Sequence, residues 1–240
     1  YHGTAILKHF LALPSPSTTL SSSHRDALWI CATILGAASF ASVRTQDPHA
    51  AWPLSDPDPA TDLDWLKMGY GKKVVWDITD PTRPESVFHG LLDHTPMNQT
   101  LDTSGPVPPG ILPPLFHSLF DLSPSTSSVD TNPYHSPCSI LSVLWRYRID
   151  EHNIIFFLSF ITQIDPYFRS LVEEKDPRAL LLLLYWHSTV VPNERWWLRR
   201  RCAVEAKAIC LYLEKHCADD DAIMELLRVP KERLAKEIAE

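Results

Sequence analysis

Glycine is scarce in this chain, seven residues in 240. Loops that cradle phosphate need several glycines close together, and neither G-x-x-x-x-G-K-[ST] nor G-x-G-x-x-G occurs, which argues against nucleotide-binding enzymes of those kinds. G-x-S-x-G, the exposed elbow of many serine hydrolases, is also missing. The five cysteines, Cys31, Cys138, Cys202, Cys210 and Cys217, are odd in number and contain no C-x-x-C pair. Structural zinc needs closely paired ligands and a disulfide framework needs an even set, so reduced thiols on helices and no metal or cofactor are expected. The eleven histidines show no metal spacing either. Basic residues are the minority, 22 Lys and Arg against 29 Asp and Glu, a net charge of −7 that is wrong for a surface built to neutralise phosphates. Direct nucleic-acid binding is not expected. No apolar run reaches the ~18 residues of a membrane span. The nearest, residues 27–43, is interrupted by Thr33, Ser39 and Ser42.

Strand-like alternation and fixed-period repeats are absent too, so the class expected is all-α, one irregular bundle of about ten helices. With 45% hydrophobic residues the chain can bury one sizeable core, and residues 1–240 are read as a single domain. The stretch around which the rest is organised is residues 176–215. Residues 179–186 are apolar on every side, which requires enclosure by other elements. After Pro192, Asn193 is placed to cap a second helix whose apolar stripe runs Leu198, Cys202, Ala206, Ile209, Leu213 and Cys217, with Arg199, Arg200, Lys207 and Glu214 turned away.

The remaining helices expected are 3–13, about 23–43 with Ser23 and Asp26 as a capping box, and 62–76 signalled by Thr61 and Asp64. Helices at 84–93, 111–122, 139–148, 152–164, 166–174 and 220–227 follow. Gly69 and Gly71 inside the 62–76 helix each cost about 1 kcal/mol relative to alanine, which points to a close neighbour, helix or ligand. Residues 94–110 and 123–133 read as irregular loops, and Pro230 separates a charged tail, 230–240. The chain starts on tyrosine, which suggests a piece of a longer protein whose native N-terminal signals cannot be read here.

Three constellations carry possible chemistry. Phe156, Phe157 and Phe160, then Leu181, Leu184, Tyr185 and Trp186, then Trp196 and Trp197 are spaced as helix faces. Such residues make the walls of a site for a rigid apolar ligand, and Tyr185, His187 or Thr189 can orient a single hydroxyl; the same spacing equally serves an ordinary core. Asp219, Asp220, Asp221 and Glu225 suggest a magnesium-diphosphate site of a helical isoprenoid enzyme. The spacing is not D-D-x-x-D, however, and helix capping explains the run as well. Arg195, Arg199, Arg200 and Arg201 lie within reach of Glu194 and Glu205, as on a solvated, partly paired face.

The segment PRALLLLLYWHSTVVPNERWWLRRRCAVEAKAICLYLE resembles the C-terminal regulatory domain of fungal binuclear zinc-cluster transcription factors, in the sterol uptake control group. WPLSDPDPATDLDWLKMGYGKKVVWDITDPTRPESVF and HRDALWICATILGAASFASV resemble the same family in the same order. The resemblance implies a regulatory domain, not an enzyme, that binds ergosterol in an apolar pocket and forms homodimers. It implies retention outside the nucleus by a cytosolic partner, and entry followed by coactivator contact when sterol is depleted. The wall residues it implies are Phe156, Phe157, Phe160, Leu181, Leu184, Tyr185, Trp186, His187 and Trp197, with Trp65 and Met68 from the earlier helix. The family's six-cysteine, two-zinc DNA-binding module is not in this chain. The family's glycine-rich segment is also missing, since ADDDAIMELLRVPKERL contains no glycine. The alternative is the same fold used for dimerisation or coactivator contact with a filled core and no ligand.

Overall fold

The helix without a polar side lies where its composition requires. In the computed structural model of the protein, which describes residues 20–55, 62–92 and 101–239, Pro177–Val190 is enclosed throughout, with every residue from Ala179 to Val190 buried. Asp176 starts it by accepting the Ala179 N–H at 2.8 Å, and Pro177 occupies the first turn, where its missing N–H is no loss.

Among the described residues ten α-helices and one 3-10 turn are present, and no strand. They are α1 (Ser22–Ala41), the turn Pro48–Ala50, α2 (Asp64–Thr79), α3 (His89–Leu92), α4 (Leu115–Leu119) and α5 (His135–Leu144). Then follow α6 (Ile154–Gln163), α7 (Pro166–Glu173), α8 (Pro177–Val190), α9 (Trp196–His216) and α10 (Asp221–Ala239). The class is all-α, as the sequence implies. Helices α5, α6, α7, α9 and α10 pack round α8, while α1 and α2 pair with each other, α1 also packing on α9 and α2 on α6. The expected helix at residues 3–13 and the Thr61 cap lie outside the described residues.

Several boundaries differ for physical reasons. Ser21, not Ser23, caps α1 through the His24 N–H, and Asp26 is buried in an ion pair instead of closing a capping box. α9 begins at Trp196 with Arg195 as its cap residue, because Asn193 spends its side-chain oxygen on the Arg195 N–H in a tight turn at 2.8 Å. α5 starts four residues earlier than expected, at His135, with Pro137 tolerated inside its first turn. Val74 of α2 is 43% exposed, and the buried face is Leu63, Trp65, Leu66 and Val75. Gly69 has the close neighbour its position suggests, since a Cβ there would come within 3.1 Å of the Ile161 carbonyl on α6. Gly71 faces open space and has no packing reason.

The largest correction is at the C-terminus. Pro230 does not end a helix or release a tail: α10 runs through it to Ala239, and Leu234 beyond it is buried. A proline inside a helix leaves the carbonyl four residues earlier without its donor, here Leu226. The Tyr185 hydroxyl donates to that Leu226 carbonyl at 2.8 Å. A side chain of α8 thus replaces the backbone bond that Pro230 cannot make. Beyond the proline, Lys231 pairs with Glu214 and Arg233 lies over the Trp145 ring, 4.7 Å from its centre, which fastens the last turns to α9 and α5.

Two arginines fasten the α1–α2 pair. Arg83 donates to the Thr79 and Asp80 carbonyls at the end of α2, to the Ser22 carbonyl at the start of α1 and to Asp26 at 2.7 Å. Arg201, from α9, donates to the Ser39, Phe40 and Ser42 carbonyls at the end of α1 and to Glu205. At the C-terminal ends of α1 and α2 each cation meets both the unmade bonds of the last carbonyls and the negative end of the helix dipole.

Candidate functional site

The aromatic residues expected to line an apolar pocket stand together in the core, packed against one another. Trp186 lies between Phe160 and Trp65, its ring nearly parallel to both, with centroids 5.6 and 5.9 Å away. Its indole N–H donates to the Phe157 carbonyl at 2.8 Å. Tyr185, about 100° further round α8, turns the other way and meets Phe116 at 4.7 Å and Trp145 at 5.1 Å. Phe156 packs edge-on against Tyr147 and Phe157. Phe157, Phe160, Leu181, Leu184, Tyr185, Trp186 and His187 are entirely buried. Trp197 is partly buried with its ring edge-on to Phe40, and Met68 is half-buried. Trp196 is mostly exposed.

The groups that were to orient a ligand hydroxyl are differently placed. Tyr185 gives its O–H to Leu226, and burial, with Glu225 nearby, pushes its pKa well above the usual tyrosine range. Thr189 gives its O–H to the Trp186 carbonyl at 2.7 Å. His187 is fully buried, with neither ring nitrogen in a hydrogen bond to protein.

The acidic run caps α10, and the basic run divides between the surface and the interior. Asp220 accepts the Ile223 N–H at the start of α10, and Asp221 lies in its first turn, which is the capping use. Among the described residues no group of three His, Cys, Asp or Glu side chains is arranged to hold a metal ion. Arg195, Arg199 and Arg200 are exposed, whereas Arg201, expected on the same wet face, is buried at 6% exposure. Its partner Glu205 is buried as well, at 5%. The signal for this was present: Glu205 lies two turns beyond Leu198 and one beyond Arg201, so the carboxylate stands inside the apolar stripe, not beside it.

Arg201 and Glu205 form part of the lining of a cleft of about 490 Å3 between the end of α1, the Pro48–Ala50 turn, the start of α2 and α9. Trp52, Asp62, Asp64, Trp65 and Val204 also line it. The Arg201 guanidinium lies 5.5 Å from the ring centres of both Phe40 and Trp65, a stacked position that holds the ion pair in place. His187 Nε2 approaches Glu205 Oε2 from the core side at 3.4 Å. Cys202, next to Arg201, is completely buried, and burial pushes its thiol pKa far up, with the Glu205 charge adding to it. It is an unreactive core thiol.

No protein-family model matches this chain, and no curated protein or solved structure matches it.

Proposed function

We propose that the chain is a regulatory domain of a fungal zinc-cluster transcription factor that works by contact with protein partners and does not take a sterol into its interior. The support for the family is the sequence resemblance, whose longest segment folds as the central helices α8 and α9. The observation that carries the second half is the aromatic stack: Phe160, Trp186 and Trp65 occupy each other's faces, and the Tyr185 hydroxyl is already bonded to Leu226. A pocket for a molecule of sterol class takes several hundred Å3, roughly 300 to 1,000. Opening one here means separating those rings and leaving the Leu226 carbonyl without a donor. A surface suited to protein contact supports the same reading. α1 shows Ile30 and Ile34 at 38% and 60% exposure, in a stretch from residue 27 to 43 without a charged side chain.

The test is thermal unfolding of lipid-free protein with and without ergosterol. A ligand specific for the folded state at a hundredfold over Kd stabilises by about 2.7 kcal/mol, roughly 5 to 11 °C for a chain of this size. The expected result is no rise beyond that given equally by a sterol lacking its hydroxyl. A rise of that size for ergosterol alone restores the sterol-binding reading.

A further inference from the structure

An amine without a counter-ion lies where α1, α2, α6 and the start of α9 meet. Lys72 of α2 crosses α1 at Gly36, so closely that a Cβ on that glycine would stand 2.5 Å from its Cε and 3.2 Å from its Nζ. Its neighbour Lys73 has Asp77 at 3.5 Å, whereas Lys72 makes no ion pair or hydrogen bond among the described residues. The walls beside it are Phe40, Trp65, Leu158, Ile161 and Trp197, and the lining holds no other charged side chain. Lys72 is part-buried, and its Nζ is not among the polar atoms closed off from solvent. The amine is thus unpartnered, set against apolar walls and reachable from outside.

An ammonium that gives up part of its water and gains no acceptor favours its neutral form. Burial accordingly pushes the Lys72 pKa below the usual lysine range. A neutral amine carries a free lone pair, and desolvation by apolar walls is one of the ways in which lysine becomes a nucleophile. The space beside the amine is about 10 Å3, room for one water and not for a lodged ligand, so the chemistry open to it is reaction from the solvent side. We propose that Lys72 is a site of direct acylation by small acyl thioesters. The Nζ lone pair attacks the thioester carbonyl carbon, the C–N bond forms as the C–S bond breaks, and the thiol leaves with the proton that the amine gives up. The product is a neutral amide. Acylation removes the charge, so the junction of α1 and α2 no longer holds an unpaired cation.

The probe is S-acetyl-N-acetylcysteamine, a small thioester, incubated with the protein at neutral pH while acetylation of each lysine is followed by peptide mass spectrometry. Lys72 should react at least about threefold faster than the exposed Lys207 and Lys215. The excess should vanish in urea, where every amine is equally solvated. Gly36→Ala tests the geometry without touching the amine. Its added Cβ meets only the far end of the flexible Lys72 side chain and pushes it off α1 into water, while alanine is the better helix former. In that variant the rate at Lys72 should fall to that of Lys207 with helix content kept. Lys72 reacting no faster than Lys207 and Lys215, or keeping its excess in urea or in Gly36→Ala, overturns the proposal.

Discussion

The centre of the molecule and its α1–α2 side are held by opposite means. Around α8 the contacts are apolar and aromatic, and its few polar side chains are mostly bonded to nearby backbone carbonyls. On the α1–α2 side Phe40, Trp65 and Leu66 reach into that core, a small separate cluster of Leu28, Ala32 and Val75 lies between the two helices, and two buried arginines gather their ends. Burial without charge is non-directional and tolerates small shifts, whereas a guanidinium bonded to three carbonyls fixes positions and fails sharply when removed. The centre should therefore set whether the chain folds, and the arginines where α1 and α2 sit.

Leu184→Asp attacks the first region and should have the largest effect. It places a carboxylate in a fully enclosed helix with no partner, at several kcal/mol or with forced protonation. Circular dichroism should show a chain that no longer melts cooperatively; an unchanged melting temperature would mean that α8 is not central. Arg201→Met attacks the second region. It strands Glu205 and the α1 carbonyls, and loss of one member of a buried pair costs about 3 to 5 kcal/mol. Melting should fall by roughly 6 to 20 °C with helix content nearly kept. A loss below about 1 kcal/mol would put this pair in the class of surface salt bridges.

A smaller effect is expected where the centre uses a polar bond. Tyr185→Phe leaves the Leu226 carbonyl buried without a donor, about 1 to 3 kcal/mol. Pro230→Ala restores a backbone N–H for the same carbonyl, so the tyrosine substitution should cost clearly less in that background. Additive losses in the double variant would separate the two residues.

The smallest effect concerns acid. Burial alone pushes the Asp26 carboxyl up, but bonds from Ser86, the Val87 N–H and Arg83 outweigh it and hold its pKa below the usual 3.8. A lowered folded-state pKa gives stability that is full above the unfolded value and is lost as pH falls through the folded one. The stability gap between the native protein and Asp26→Asn should thus be constant above about pH 5 and narrow below about pH 4. A gap that does not change on acidification would show that Asp26 is not held ionised by these partners.

The long helices are legible because an apolar stripe or an apolar run marks them wherever they lie: the run 179–186 falls inside Pro177–Val190. Ends that depend on local capping alone were off by a few residues, since Ser21 competes with Ser23 and Arg195 with Asn193. The identity of the core aromatics was legible too, but whether they enclose a space depends on ring orientation, which spacing does not carry. What stayed hidden were partners distant in sequence. Asp26 meets Arg83, and Arg201 meets carbonyls some 160 residues earlier. Pro230 read as a stop because its remedy stands on another helix.

That remedy also bears on the order in which the chain can take shape. By itself the segment that becomes α10 has a break built in at Leu226 and Pro230, and only a docked α8 closes it. The last turns of α10 are therefore helical on condition that the centre is already assembled. They belong to the same cooperative unit as α8 despite lying at the far end of the sequence, and any event that loosens α8 loosens them with it.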